Sequence, residues 1–331
     1  MFIKEDLKAY RFLLIFAVVL AVIPIFTSAN YVVHTLILMM FFAYLASAWN
    51  IIGGFAGQFA LGNGVYIGIG AYIAVCLFKY NGITPWIGLI IAGVISGLIG
   101  MLIGYPCFKL RGTYYALATA AVLYIVGIFM KNNNTVLGYD TGGPMGIKLS
   151  WQGGFINMQF VDKAPYYYIM LALLVIIIAV SIYLKNSRTG YYFAAVNTNQ
   201  DAARSLGVNA TAYKLRAQFL SSFFTAVGGG FYVIYIMYLD PTRVLSYALS
   251  IQILLYAIVG GANTVWGPIM GAMVLYPLSE LLRTAIGTSA TGLSTALYGL
   301  LLMLVIFFMP QGVLPWVSDK IRERKGGRKN V

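Results

Sequence analysis

The chain has 331 residues, of which 60% are hydrophobic and 9% charged, against roughly 25% charged in a soluble globular domain; this excludes a soluble fold and points to a single membrane domain over residues 1–331. Twenty-two Lys and Arg against nine Asp and Glu give a net charge of +13, which raises the question of nucleic acid binding. The basic residues cluster in the tail (Lys320, Arg322, Arg324, Lys325, Arg328, Lys329) and in one loop (Lys185, Arg188, Arg204, Lys214, Arg216), a pattern of cytoplasmic retention rather than of phosphate binding.

In chain order, apolar runs between polar or Gly/Pro breaks predict spanning helices at about 12–30, 31–52, 64–80, 84–106, 113–131, 165–184, 216–239, 248–260, 265–284 and 293–310. Most approach the roughly 20 residues needed to cross a bilayer, and each must be helical because an open strand edge leaves backbone groups unpaired in lipid. The fold class is therefore all-α and polytopic, with about ten (eight to ten) transmembrane helices; glycines interrupt the third, and the eighth is short. The run from Phe12 to Phe26 follows basic residues as a signal peptide does. Thr27-Ser28-Ala29-Asn30 lacks the small-x-small cleavage pattern, so an uncleaved anchor helix is expected.

With the N-terminus inside, sixteen Lys and Arg fall in cytoplasmic segments and six in external ones, so both termini are predicted to be cytoplasmic. Cys76 and Cys107 fall near opposite ends of neighbouring spans, and no disulfide is expected.

Two polar segments stand out. Residues 132–164 form an external loop rich in Asn and Gly, either a solvated connector or a docking face for an extracytoplasmic partner. Residues 185–215 form a basic cytoplasmic loop in which Asp201-Ala202-Ala203-Arg204-Ser205-Leu206-Gly207 reads as one short helix stopped by Gly207. It is either an ordinary basic loop or a helix for a partner's groove. Residues 311–331 make a basic cytoplasmic tail.

Two apolar runs break alike, at Gly53-Gly54-Phe55-Ala56-Gly57-Gln58 and at Gly260-Gly261-Ala262-Asn263. Broken helices mark a transport path where protein or water satisfies the freed backbone, or simply allow close helix packing. Gln58, Asn63 and Tyr66 near the first break are candidates to line a path for a small zwitterion, or to bond between helices. Of the ionisable residues inside spans, Glu280 has Arg283 on the same helical face and reads as a local ion pair, and His34 reads as interfacial.

One His and nine scattered acids offer no catalytic constellation and no metal spacing. No G-x-x-x-x-G-K-[ST] phosphate loop occurs, so any ATP energy must arrive through a partner. An ion-coupled carrier would have only Glu280 to use.

Five stretches together resemble the M-type permease subunit of branched-chain amino acid ABC importers. They are Trp49-Asn50 through Gly57-Gln58-x-x-Leu61-Gly62 with Gly68-Ile69-Gly70-Ala71-Tyr72; Leu110-Arg111-Gly112-x-Tyr114; Thr141-Gly142-Gly143-Pro144-x-Gly146; Ser187-Arg188-x-Gly190 through Ala202-Ala203-Arg204-Ser205-Leu206-Gly207-Val208 to Tyr213-Lys214; and Gly260-Gly261 through Trp266-Gly267-Pro268-x-x-Gly271, with Tyr298-Gly299 and Pro310-Gln311-Gly312. The chain departs from the pattern at Ala60 and Asn63, where Ser and His are common, and at Asp201, where the wider importer motif has Glu.

The resemblance implies a bacterial or archaeal inner-membrane importer subunit for leucine, isoleucine and valine; related permeases carry urea and short amides. It implies a second, H-type permease, two cytoplasmic ABC ATPase subunits that bind ATP and Mg, an extracytoplasmic substrate-binding protein, and no cofactor in this chain. It assigns ATPase coupling to Asp201, Ala202, Ala203, Arg204, Leu206 and Gly207, and leaves Gly57, Gln58, Asn63, Tyr66, Gly260, Gly261 and Asn263 as the substrate pathway.

Overall fold

The computed structural model describes residues 2–26, 29–286 and scattered positions between 292 and 316. Helix α1 (Phe2–Phe26) precedes α2 (Asn30–Asn50), which runs directly into a π-helical segment, Ile51–Phe55. After an irregular stretch come α3 (Gly64–Asn81), α4 (Pro85–Cys107) and α5 (Thr113–Asn132). A loop with the short strands β1 (Thr135–Val136), β2 (Tyr139–Asp140) and β3 (Ile147–Lys148) leads to α6 (Ala164–Asn186), α7 (Arg188–Thr198) and α8 (Gln200–Ser205). The long α9 (Ala210–Ile236), β4 (Tyr238–Leu239), α10 (Pro241–Val244), α11 (Tyr247–Gly261) and α12 (Gly267–Ile286) complete the described elements.

Six helices among the described residues are long and apolar enough to span a membrane: Asn30–Phe55, α3, α4, α5, α6 and α9. The predicted first and eighth spans correspond to shorter apolar runs, Ala9–Pro24 and Tyr247–Gly261. The ninth is α12, which carries Glu280 and Arg283 and is not among the six. The tenth, 293–310, falls largely outside the described residues.

The core forms around α2 and α9. Helix α2 packs against α6, α9, α11 and α12, while α9 lies against α3 and α4. Its approach to α3 is set by two glycines: a β-carbon on Gly70 would sit 2.2 Å from the Ala226 carbonyl oxygen, and one on Gly229 would sit 2.3 Å from that of Ile67. Small residues let membrane helices meet backbone to backbone where lipid supplies no hydrophobic drive. Helix α5 is patterned the other way out. Ala116, Thr119, Ala120 and Gly127 face inward, while Leu117, Tyr124, Ile125, Ile128 and Phe129 are exposed, as suits an apolar solvent.

The 132–164 loop is folded. Asp140 caps the turn by accepting from the Gly142 N–H at 2.8 Å, and Gly142, Gly143 and Gly146 all take positive φ around a 3₁₀ turn. This leads into β3, which pairs antiparallel with β4 and fastens the loop to the end of α9.

The 185–215 loop departs from the single short helix expected. It holds two helices, α7 and α8, and a third begins at Ala210. Three cap side chains make the cuts: Ser187 accepts from Gly190 N, Asn199 from Asp201 N and Ala202 N, and Asn209 from Ala212 N, each satisfying first-turn donors left over at a helix start. Glu280 and Arg283 form the expected ion pair at 2.7 Å, His34 bonds Tyr235, and both cysteines are free.

Gly229→Val places its side chain against a backbone carbonyl that cannot move aside. It is expected to cost about 1–3 kcal/mol, the range for overpacking, read as a lower melting temperature of the purified protein. Gly88→Ala, whose β-carbon meets only the Leu77 Cβ at 4.0 Å, is expected to melt with the parent. Equal melting of the two variants contradicts the packing described for α3 and α9.

Candidate functional site

The two Gly-rich breaks, more than 200 residues apart in sequence, meet in space through Asn50. This side chain is 2% exposed, and its Nδ2 donates to the Thr264 carbonyl at 2.8 Å. Its Oδ1 accepts from the Asn263 backbone N–H at 3.0 Å. One amide, with one donor and one acceptor directed at consecutive residues, thus satisfies the irregular backbone between α11 and α12. The chain leaving the π segment is held in turn by the Trp49 indole N–H, which donates to the Ala60 carbonyl at 2.8 Å.

Gly260 and Gly261 lie at the crossing of α11 with α12. A β-carbon on Gly260 would fall 1.8 Å from the Gly267 carbonyl oxygen. They line neither of the two cavities described below, and Asn263 contributes its backbone rather than its side-chain amide to the junction. Gly260 allows the close crossing of the two helices, and Asn50 makes the side-chain hydrogen bonds to the junction.

Helix α7 docks onto the first break. Asn197 Nδ2 donates to the Gly54 carbonyl at 2.8 Å, an acceptor inside the π segment. Helix α8 is tied to the α4–α5 connection, where both guanidinium ends of Arg111 bond the two carboxylate oxygens of Asp201 at 3.0 Å. This fork is well formed but exposed, so its contribution to stability is about 0–1 kcal/mol and its main effect is orientation. Of the six residues assigned to coupling, Asp201, Ala202, Arg204, Leu206 and Gly207 are exposed. Ala203 is buried against Val196, Val208 and Ala210 and secures α8 from within. Leu206 is 85% exposed, an unpartnered apolar side chain within the described residues. Gly207 has φ +83° with open space around its α-carbon, the left-handed stop that favours glycine.

Two cavities flank this arrangement. A cavity of about 330 Å³ lies between the first break and α7–α8; Gly57, Gln58, Arg111, Tyr115, Asn197 and Lys214 are among its lining residues. The other, of about 10 Å³, lies deeper and is lined by Asn63, Tyr66, Thr119 and Gln218 among others, at the limit of what one water needs. Asn63 is 1% exposed, and neither amide atom has a hydrogen-bond partner.

Gln58 and Asn63, five positions apart in sequence, therefore line different cavities. Between these lies Tyr115, whose hydroxyl donates to Gln218 Oε1 at 3.2 Å, and Gln218 Nε2 donates to Ser222 at 2.8 Å. Gln218, Ser221, Ser222 and Thr225 form a buried polar seam on α9, with the Ser221 and Thr225 hydroxyls unpartnered. The sequence reading passed over this seam. Its signal was present as polar residues at i, i+3, i+4 and i+7 in an otherwise apolar helix.

Asn50→Leu leaves the Asn263 N–H and the Thr264 carbonyl without that partner. The expected cost is about 1–3 kcal/mol for the unsatisfied groups, seen as a lower melting temperature together with faster thiol labelling of a cysteine placed at Asn263. Unchanged melting and labelling contradict the clamp.

Comparison with known proteins bears on this geometry. The family described as "Branched-chain amino acid transport system / permease component" matches residues 31–309. The high-affinity branched-chain amino acid transport system permease protein LivM of Escherichia coli (strain K12) is 28% identical, over 96% of this chain and 78% of its own length. LivM of Salmonella typhimurium is 28% identical over 88% of this chain and 71% of its own. A probable branched-chain amino acid transport permease protein LivH of Methanocaldococcus jannaschii is 25% identical over 77% and 80%. No solved structure shows a significant match. With most of its length matched and six apolar helices long enough to span, the chain belongs to the branched-chain amino acid transport permease family, of the M type its LivM relatives represent, and is a multi-pass protein of the cell inner membrane.

Proposed function

We propose that this chain is the M-type permease subunit of an ATP-driven importer for leucine, isoleucine and valine. The observation that carries the reading is the match to the permease family and to LivM over most of the chain. The geometry adds a route by which a partner's work reaches the membrane: α7 holds the first break through Asn197 and Gly54, and α8 leaves Leu206, Asp201 and Arg204 accessible. We assign the α7–α8 face and both termini to the cytoplasm, on the excess of Lys and Arg there.

In this reading two ABC ATPase subunits bind ATP and Mg and grip α8, and ATP-driven closure of the pair moves α7 and the break together. A second, H-type permease completes the membrane unit, and an extracytoplasmic binding protein delivers substrate to the face carrying residues 132–164. Substrate passes from the polar seam on α9, past Tyr66 and Asn63, to Gln58 and the larger cavity. The uncharged amides and hydroxyls suit a zwitterion that must pass without being held. In this state the deeper cavity is too small for an amino acid, so the path is closed there and opens by a two-state shift.

Proteoliposomes carrying the complete importer and its binding protein are expected to take up leucine only with ATP on the α7–α8 side. Uptake driven by an ion gradient alone indicates a secondary carrier instead, and preferential uptake of urea or a short amide replaces the substrate. Gly207→Trp is expected to lower ATP-driven uptake several-fold while the amount of protein in the membrane holds; unchanged uptake removes the coupling assignment.

A further inference from the structure

Lys214 presents a problem that transport coupling does not solve. It lies in the first turns of α9, is 3% exposed, and lines the larger cavity. Of its three ammonium donors, one goes to Gln200 Oε1 at 2.5 Å. The Phe108 ring, 5.8 Å from Nζ to its centroid, covers another side. Among the described residues, no carboxylate forms an ion pair with it.

The charges that reach it are Arg204, Arg111 and Asp201, and Asp201 is already engaged by the guanidinium of Arg111. A buried ammonium with one hydrogen-bond partner from the protein, in a region with more cations than acids, is electrostatically favourable to an anion in the cavity beside it. The cavity is roomy and polar, and its wall also carries the Asn197, Gln58 and Gln200 side chains.

We infer that the larger cavity is a carboxylate-binding site centred on Lys214, taking the carboxylate of a small aliphatic amino acid on the α7–α8 side of the membrane. The inference deepens the importer reading and rests on it for the amino acid; the carboxylate chemistry rests on Lys214 alone. A molecule seated there touches the π-segment flank at Gly57 and Gln58 and both short helices at once. Bound product therefore wedges between the break and α7–α8, and hinders the movement that coupling needs.

The test uses the purified importer in lipid nanodiscs, with melting temperature followed against three probes. 4-Methylpentanoate has leucine's carbon skeleton and carboxylate without the ammonium, leucinamide has the ammonium without the carboxylate, and leucine has both. Leucine and 4-methylpentanoate are expected to raise the melting temperature saturably and leucinamide to leave it unchanged. Lys214→Gln is expected to raise the half-saturating concentration about tenfold or more, the scale seen when one partner of a buried charge pair is removed.

Gln200→Glu supplies the missing carboxylate from within the chain. It is expected to stabilise the importer and abolish the response to 4-methylpentanoate, which keeps the test open if Lys214→Gln fails to assemble. Equal shifts from leucinamide, or an undiminished response in Gln200→Glu, overturn the site. Loss of ATP-driven leucine uptake by the parent importer, with the 4-methylpentanoate response intact, overturns the substrate and leaves the site standing.

Discussion

Irregular backbone inside a membrane must find its hydrogen bonds within the protein, because lipid supplies none. Among the described residues two Gly-rich breaks stand out, and the Asn50 amide answers for the second from the last turn of the helix that leads into the first. The two breaks are thereby one structural unit. The start of α3, where Ser250 of α11 accepts from the Gly64 N–H at 2.8 Å, and the Gly260–Gly267 crossing are fitted around that junction. An amide rather than a charge at this position bonds both a carbonyl and an N–H without burying an ion.

A π-helical segment at such a junction leaves carbonyls free of the regular ladder, and the protein uses one. The Gly54 oxygen accepts from the Asn197 side-chain amide, so a single side chain of α7 reaches the backbone of the break. Helix α8, by contrast, is steered from the surface by the exposed fork between Arg111 and Asp201. The pair of short helices is thus anchored at one end to the core and at the other to a loop. In the proposed coupling, a displacement of α8 would be passed through α7 to the break, beside which the larger cavity lies.

Much of this was legible from residues alone. The apolar runs located α2 to α6 and α9 closely, because a run of about 20 apolar residues has few alternatives to spanning. The ion pair of Glu280 with Arg283 followed from helical spacing, and the 132–164 loop was bounded by its Asn and Gly content. The split of 185–215 into two helices was missed although Ser187, Asn199 and Asn209 are strong caps, because Ala and Arg favour a helix on either side of them. Ala203 faces inward for a reason no local pattern states: its partners are Val196 and Ala210 on neighbouring helices.

The contact of Asn50 with residues 263 and 264 lay beyond sequence reading altogether, since it joins positions more than two hundred residues apart through a backbone N–H and a carbonyl. Two similar breaks hinted at a path, but not that one would satisfy the other. The seam on α9 was hidden by the apolar average of its helix, and emerges only when the polar residues are counted by face.

The central claim is that α7 moves the first break through the Asn197 side chain. The most direct measurement compares ATP hydrolysis with leucine uptake by the reconstituted importer carrying Asn197→Ala. The account predicts that hydrolysis continues while uptake per ATP falls sharply. Uptake per ATP equal to that of the parent contradicts it, and places the coupling on another contact.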